Sequence, residues 1–356
     1  MRRKNAILIV GFFMLLSFFT VTIYAEEETS NMTLLPVLFY TPETGTGGGF
    51  YFLYLDPASG AKTDLFQGGL TYTQKDQIQM YFSMAKYIAG GYQLLFESGV
   101  SKFPDKFYGI GNSTTEEMEE DYTLDTLGFE GSLLRIIQKG LYLGPNLRYL
   151  KYKVEDVVEG GLLDRNGVNG SGDPTVVGLG LHAIYDQRDN QFFPEKGFRI
   201  ELKATSYPKS IGNANDCFQL EADQRIFFGF GNGRVLALHG FLMYSDGDLP
   251  FQLLPQLGGP SLLRGYYQGR FRDNNLLAFQ GEYRFPIYKR FGGNVFAGIG
   301  DVAHRMDAFK ASDLKKAAGI GLRYAFNERE KINIRLDIGF SDDGGSGVYF
   351  CIGEAF

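Results

Sequence analysis

The sequence predicts an all-β protein, a 16-stranded antiparallel transmembrane β-barrel, on three observations. The composition favours strands and tight turns, because the chain has 47 Gly, 22 Tyr and 32 Phe but no Trp. Apolar and polar residues alternate with period two in many short segments, as two-faced strands require. The connections between these segments alternate between short and long, as in membrane barrels with short turns on one side and long loops on the other.

The N-terminus is typical of a secretory signal peptide. Basic residues at positions 2–4 precede an apolar run over residues 6–23, and Ala25 precedes an acidic stretch. This order predicts a signal peptide over residues 1–25 and an outer-membrane β-barrel over residues 26–356. The alternative is a retained membrane anchor, because the apolar run approaches the length that spans a bilayer.

The strands are predicted from the alternation itself. Residues 332–338 read Ile-Asn-Ile-Arg-Leu-Asp-Ile, with the isoleucines and leucine on one face and the polar residues on the other. A soluble sandwich would show the same pattern, but the signal peptide and the number of strands favour a barrel whose apolar face meets lipid. The sixteen predicted strands cover residues 33–42, 46–55, 63–74, 77–88, 91–101, 122–137, 141–154, 175–187, 197–206, 215–228, 233–244, 275–287, 293–302, 317–326, 331–340 and 347–356.

Charge and motif content exclude several function classes. A net charge of -6 argues against a nucleic-acid partner, which needs a basic face. The only histidines are His182, His239 and His304, and the best catalytic pairing is His182 with Asp186 on one face of a strand. Hydrolase, nucleotide-binding and zinc-protease motifs do not occur, so we predict no enzyme.

Metal, cofactor and disulfide chemistry are not predicted either. Cys217 and Cys351 lie far apart in strand-like segments, so we expect two unpaired thiols rather than one disulfide. One loop offers oxygen atoms without the spacing of a calcium-binding loop, and we predict no metal and no cofactor. The oxygen-bearing residues of this loop are Asp164, Asn166, Asn169 and Asp173.

Three stretches go beyond a generic barrel. Residues 259–266 read GPSLLRGY, residues 185–197 read YDQRDNQFFPEKG, and residues 347–356 read GVYFCIGEAF. Their order and spacing resemble those of the BamA/TamA-type outer-membrane assembly factors, the bacterial surface antigen superfamily. The resemblance covers essentially the whole mature chain. Such factors usually carry POTRA domains ahead of the barrel, and this chain resembles the minority made of the barrel alone.

The first motif implies a loop that folds into the barrel. In the family its arginine lies at the tip of the sixth extracellular loop, and the matching residues here are Arg264, Gly265 and Tyr266. A confined arginine requires carboxylate partners, and the family's acidic partner matches Glu282. Gly298 stands where the family has a second acid, and the nearest carboxylate, Asp301, falls on the opposite face of its strand. The alternative for Arg264 is an ordinary solvated loop charge.

The other two motifs imply structural roles. The second resembles a periplasmic turn in which opposite charges clamp the backbone, formed here by Asp186, Arg188, Asp189, Pro194 and Gly197. The third resembles the C-terminal β-signal, formed here by Phe350, Ile352 and Phe356.

The resemblance also implies a function at the seam between the first and last strands. We expect this seam to be weak, because the first strand ends in Pro42 and Gly47–Gly49, while on the other side Gly353 and the terminal Phe356 leave little that can pair tightly. A labile seam would template incoming strands and so aid insertion or export of outer-membrane proteins or lipids. The implied partners are outer-membrane lipids and nascent outer-membrane proteins, around a monomeric barrel in the bacterial outer membrane. The alternative is a passive pore or structural barrel without insertase activity.

Overall fold

A computed structural model describes residues 32–56, 64–164, 167–328 and 331–356, and these residues form a closed antiparallel barrel. Sixteen strands make the barrel wall, each hydrogen-bonded to its neighbours in the chain, and β1 meets β18 at the seam. The prediction of a 16-stranded antiparallel barrel is therefore confirmed. The wall strands are β1 (Met32–Thr41), β2 (Gly45–Asp56), β3 (Asp64–Thr73), β4 (Ile78–Ile88), β5 (Tyr92–Phe107), β6 (Glu120–Gln138), β7 (Leu141–Glu155), β8 (Thr175–Asp186), β9 (Gly197–Tyr207), β10 (Cys217–Gly229), β11 (Val235–Asp246), β14 (Asn275–Tyr288), β15 (Phe291–Ala303), β16 (Lys315–Asn327), β17 (Ile332–Ser341) and β18 (Ser346–Ile352).

Two further strands, β12 (Gln256–Leu257) and β13 (Phe271–Arg272), pair with each other outside the wall. In the residues that the structure describes, four short 3-10 helices lie in connections, at Glu116–Met118, Lys209–Ile211, Phe251–Leu253 and Met306–Ala308. No helix in the described part of the chain is both long and apolar enough to cross a membrane. The predicted signal peptide lies outside the described residues, and both cysteine thiols are free.

The alternating pattern sorts the side chains between the two faces of the wall. On β17, Leu336 and Ile338 are each 37% exposed on the outer face, whereas Arg335 and Asp337 are buried inside at 3% and 0%. An outer face of apolar side chains fits lipid, while charged groups need polar partners within the lumen. The period-two pattern of this strand therefore decides which side chains can meet in the lumen.

One hairpin is longer than predicted. β5 continues to Phe107 and β6 begins at Glu120, so the predicted loop over residues 102–121 shrinks to residues 108–119. The reason is aromatic packing, since Phe107 and Tyr122 contact Phe251 with ring centroids 5.2 and 5.8 Å apart. Burial of these rings stabilises ladder pairs that the alternation alone did not reveal.

Candidate functional site

The connection between β11 and β14, residues 247–274, folds back into the barrel and carries the first motif. Within it, residues 256–257 pair with residues 271–272 as the β12–β13 ribbon. Leu257, Leu263 and Phe271 of this loop are buried in one apolar cluster with Leu276 and Val302 of the wall. Burying these side chains stabilises the inward position of the loop by the hydrophobic effect. We call residues 247–274 the lumen loop.

Arg264 lies at the tip of the lumen loop and is fully enclosed. Its Nη2 donates to Glu282 Oε2 at 2.6 Å, and its Nη1 donates to Asp337. The guanidinium also stacks on the ring of Phe296, with its carbon 3.6 Å from the ring centroid. All three charged side chains are 0% exposed. The structure thus brings Arg264 and Glu282 together and adds Asp337, which sequence reasoning did not assign.

The backbone of the tip passes close to the wall. Leu263 has a φ of 59°, which is uncommon for a leucine, and Gly265 has a φ of 130°. A Cβ at Gly265 would meet the backbone of Phe340 at 2.9 Å, and one at Gly339 would meet the Arg264 carbonyl at 2.4 Å. Glycine is therefore required at both of these close approaches of loop and wall.

Several charged side chains form one connected network around Arg264. Arg323 bridges Glu282 Oε1 and Asp337 Oδ1 at 3.0 and 2.6 Å. Arg284 Nε lies 2.9 Å from Glu282 Oε1, and Arg335 Nη1 lies 2.9 Å from Asp337 Oδ2. An enclosed charge is stable only beside groups of opposite charge, and each charge named here has at least one such partner. We call this network the arginine cluster; it comprises Arg264, Arg284, Arg323, Arg335, Glu282, Asp337 and Glu354.

Gly265 and Tyr266 tie the tip to β18. The Tyr349 hydroxyl accepts a hydrogen bond from the Gly265 amide at 3.0 Å and donates to the Tyr266 carbonyl at 3.3 Å. The Tyr266 hydroxyl donates to the Asp342 carboxylate. Burial, together with this carboxylate, raises the pKa of Tyr266 well above its ordinary value. The phenol therefore stays protonated and remains a hydrogen-bond donor.

The residues after the tip anchor the loop to other parts of the wall. The Tyr267 hydroxyl donates to Asp105 Oδ1 at 2.9 Å, and the Gln268 amide donates to Glu43 Oε1 at 2.8 Å. Arg270 donates to the Thr114 hydroxyl and carbonyl at 3.0 and 2.8 Å. The lumen loop is thus held by polar contacts at several points around the barrel.

The expected second acid on β15 does not serve Arg264. Asp301 accepts from Asn112 Nδ2 at 3.2 Å, at the end of the strand. Gly298 is approached by the lumen loop instead, since a Cβ there would meet Leu263 at 3.0 Å. The carboxylate that sequence reasoning sought on β15 is supplied by Asp337 on β17. The alternating segment 332–338 carried that residue, but the sequence did not reveal that it would face Arg264.

The second motif forms the turn between β8 and β9. Arg188 binds both oxygens of Asp186, at 3.0 and 2.7 Å, and Arg199 Nη1 reaches Asp186 Oδ2 at 3.0 Å. Asp189 Oδ1 accepts the amides of Glu195 and Lys196 at 2.9 and 3.2 Å. Pro194 is buried within the turn. Gly197 opens β9 with a φ of 99°.

Replacing Asp189 with alanine is expected to loosen this turn. The two amides lose their acceptor, which costs about 1–2 kcal/mol of stability. The measurement is limited proteolysis, where cleavage near residues 190–196 is expected to become faster. Asp307, an exposed residue paired with Arg305, provides the control, since Asp307→Ala is expected to leave cleavage of this turn unchanged. An unchanged cleavage rate in Asp189→Ala would show that the clamp does not hold the turn.

The C-terminal segment departs from the prediction of a strand over residues 347–356. β18 ends at Ile352, and Gly353, with a φ of 85°, turns the chain away from the wall. Glu354 then accepts from Arg323 Nε at 2.9 Å and from Asn333 Nδ2 at 2.8 Å. Phe356 is 6% exposed and stacks on His239 with ring centroids 5.0 Å apart. Contacts inside the barrel, which local alternation cannot encode, override strand continuation here.

This inward turn leaves a short seam. Among the described residues, β1 and β18 share one register pair, Tyr40 with Phe350. On its other edge β18 pairs with β17 along its whole length, from the pair Ile352–Ile334 to the pair Ser346–Phe340. The seam is therefore the least paired junction of the described barrel wall.

The cause predicted on the side of the first strand is wrong, whereas the predicted weakness at Gly353 agrees with the structure. Pro42 lies in the β1–β2 turn, outside the ladder, and Gly47–Gly49 lie within β2, paired to β1 rather than facing the seam. Neither feature removes a hydrogen bond between β1 and β18. The seam is short because the chain leaves the wall at Gly353.

The other pairings considered from the sequence do not form. His182 contacts Glu201 and Ser132 rather than Asp186, so the predicted pairing is wrong. Asp164 accepts the Gly160 amide at 2.8 Å, and Asn166 lies outside the described residues. Within the described ranges, no group of three or more histidine, cysteine, aspartate or glutamate side chains is arranged to hold a metal ion.

Comparison with known proteins identifies the family. The model of the Omp85 superfamily domain matches residues 61–356. The chain belongs to the Omp85 superfamily. The predicted relationship to BamA/TamA-type barrels is thereby confirmed, and membership implies a bacterial outer-membrane β-barrel. A search of curated proteins gave no match.

Solved structures of Omp85 barrels show the same fold. BamA from Haemophilus ducreyi lacking POTRA domains 1–3 aligns with a TM-score of 0.64 at 14% identity, covering 92% of this chain and 70% of that one. CdiB from Acinetobacter baumannii aligns with a TM-score of 0.62 at 12% identity, covering 90% of this chain and 59% of that one. CdiB from Escherichia coli aligns with a TM-score of 0.60 at 11% identity, covering 91% of this chain and 62% of that one. This chain therefore spans about three-fifths of each CdiB chain, and the likeness is one of fold.

Proposed function

We propose that this Omp85 barrel aids the insertion or export of outer-membrane proteins or lipids through the junction between β1 and β18. The observation that carries the proposal is the seam, which has one register pair, Tyr40 with Phe350, in the described residues. A strand edge with few partners can accept a strand from another chain by β-augmentation. Nascent outer-membrane proteins supply such strands, and lipids adjoin the same junction.

The lumen loop supports this function over free diffusion. Arg264, Glu282 and Asp337 lie inside the barrel and hold the loop across part of the lumen. A passive diffusion pore needs an open interior, and a loop that is buried and ion-paired obstructs it. In this proposal the arginine cluster keeps the barrel rigid while the seam opens.

The arrangement also connects the loop to the seam. Glu282 is shared by Arg264 and Arg323, and Arg323 holds Glu354, two residues beyond the end of β18. Tyr349 of β18 contacts the backbone at Gly265. The position of β18 is thus supported from inside by the lumen loop, and the two parts are expected to act as a unit.

Depletion of the protein from its native cell tests the proposal. If the barrel assembles membrane components, depletion is expected to lower the levels of other outer-membrane proteins or of outer-leaflet lipid. If it is a passive pore, depletion is expected to slow solute uptake and leave both levels unchanged. The second result would overturn the proposal, and complementation with the wild-type chain controls for indirect effects.

A further inference from the structure

A polar chamber lies in the lumen apart from the arginine cluster. Its volume is about 520 Å³, which is within the range of small-molecule sites. The lining comes from β3 to β9 and from the β8–β9 turn. The arginine cluster instead belongs to the lumen loop, β14, β16, β17 and the segment after β18. Ser132, His182 and Glu201 all line this chamber.

These three residues form a chain of hydrogen bonds. Ser132 Oγ lies 2.9 Å from His182 Nδ1, and His182 Nε2 lies 2.9 Å from Glu201 Oε1. The residues come from β6, β8 and β9, so the side-by-side pairing of β6 to β9 brings them together and no local motif encodes them. Nucleophile, base and orienting carboxylate in hydrogen-bond contact are the arrangement that activates a serine.

The neighbouring polar groups orient the three side chains of this hydrogen-bonded chain. Arg199 Nη2 holds Glu201 Oε2 at 2.6 Å, which keeps the carboxylate ionised and able only to accept. In the neutral imidazole with its proton on Nε2, His182 donates to Glu201 and leaves Nδ1 to accept from the Ser132 hydroxyl. Asn146 Nδ2 donates to Ser132 Oγ at 2.9 Å, and its second contact, to Glu130 Oε1 at 3.0 Å, fixes the amide as the donor.

From this geometry we infer that the chamber is a catalytic site for hydrolysis of small carboxylic esters, with Ser132 as nucleophile, His182 as general base and Glu201 as the positioning residue. Ser132 Oγ attacks the ester carbonyl while its proton passes to His182 Nδ1. The carbon–oxygen bond to the alcohol breaks, and the alcohol leaves with that proton. Water then attacks the acyl-serine through the same base, which releases the carboxylic acid and restores Ser132.

Asn146 orients the nucleophile, because its Nδ2 donates to Ser132 Oγ at 2.9 Å and to Glu130 Oε1 at 3.0 Å. The charges of the wall define the substrate class. Glu130 is paired with Arg148 and Lys203, and Glu201 with Arg199, so these ion pairs satisfy each other. Glu97 lines the same chamber, so an uncharged ester with polar groups fits this wall better than an anion.

The experiment uses the full chain, purified and folded in detergent. We expect the wild type to hydrolyse p-nitrophenyl acetate and to be labelled by a fluorophosphonate probe at Ser132, identified by mass spectrometry of the labelled peptide. Ser132→Ala is expected to lower kcat/KM at least about a thousand-fold and to abolish labelling. Ser83→Ala, in the same chamber, is the matched control and should retain both.

Glu201→Gln separates a positioning role from a purely structural one. A glutamine can donate to Nε2 and so favour the wrong imidazole tautomer, and kcat is expected to fall about a hundred-fold or more while KM is retained. Folding of each variant is verified by its heat-shifted mobility in gels.

A wild-type protein that is neither labelled nor faster than buffer would overturn the inference. Labelling of Ser132→Ala at the wild-type rate would overturn it as well. This inference does not rest on the seam function, so an experiment can contradict either proposal and leave the other intact. Ser132→Ala is expected to rescue a depleted cell as the wild type does, whereas a failed depletion phenotype leaves the labelling result unaffected.

Discussion

Replacing Arg264 with alanine is expected to lower the free energy of unfolding of the barrel by about 3–5 kcal/mol, because two enclosed carboxylates lose a shared cation. Glu282 and Asp337 are 0% exposed, so water cannot replace the lost hydrogen bonds without opening the lumen. The loss should appear as a lower midpoint in urea or heat unfolding, followed by the mobility shift in gels. The lumen loop should also become sensitive to added protease.

A matched arginine provides the control for this effect. Arg305 is 73% exposed and is paired with Asp307 at 3.0 Å, and Arg305→Ala is expected to leave the midpoint unchanged. The unfolding midpoint of Arg264→Lys is expected to lie between those of Arg264→Ala and Arg305→Ala. Lysine keeps the charge but cannot contact both carboxylates with separate planar donors. A wild-type midpoint in Arg264→Ala would mean that the arginine cluster does not hold the loop.

A disulfide across the seam is expected to abolish the assembly function while leaving the barrel folded. Tyr40 and Phe350 form the register pair between β1 and β18, and directly opposed residues are close enough for a cystine bridge. Tyr40→Cys with Phe350→Cys, in a chain whose native cysteines are serine, would lock the edge needed for β-augmentation. Outer-membrane protein levels in a depleted cell measure the loss, and reduction should restore them.

The control disulfide joins two strands that do not form the seam. Ile338 and Val348 are paired between β17 and β18 on the outer face, so Ile338→Cys with Val348→Cys stiffens β18 without linking it to β1. This variant is expected to rescue the depleted cell. Full rescue by the oxidised Tyr40–Phe350 variant would contradict a role for seam opening.

Much of the wall could be predicted because strand alternation is a local property. Segments such as residues 332–338 show their two faces directly, and the strand bounds there agree with the structure to within one residue. The errors lie where distant contacts intervene. β5 continues to Phe107 because Phe251 of the lumen loop packs against it, and β18 stops at Ile352 because the lumen binds Glu354 and Phe356.

The site was partly predictable for the same reason. The RGY motif and the polar face that carries Glu282 indicated a confined arginine and one partner. Asp337 was visible as a polar residue on an alternating strand, but its contact with Arg264 spans 73 residues of sequence. Likewise His182 was recognised as a candidate base, while its partners Ser132 and Glu201 lie 50 and 19 residues away.

By itself the sequence determined the fold class, the number of wall strands and the face on which each side chain lies, because a period of two residues needs no information from elsewhere in the chain. Only the tertiary structure decided which luminal charges pair, where the last strand ends and how short the seam is. Those outcomes depend on barrel closure, which brings together side chains from non-adjacent strands and makes an enclosed charge stable only beside its partner.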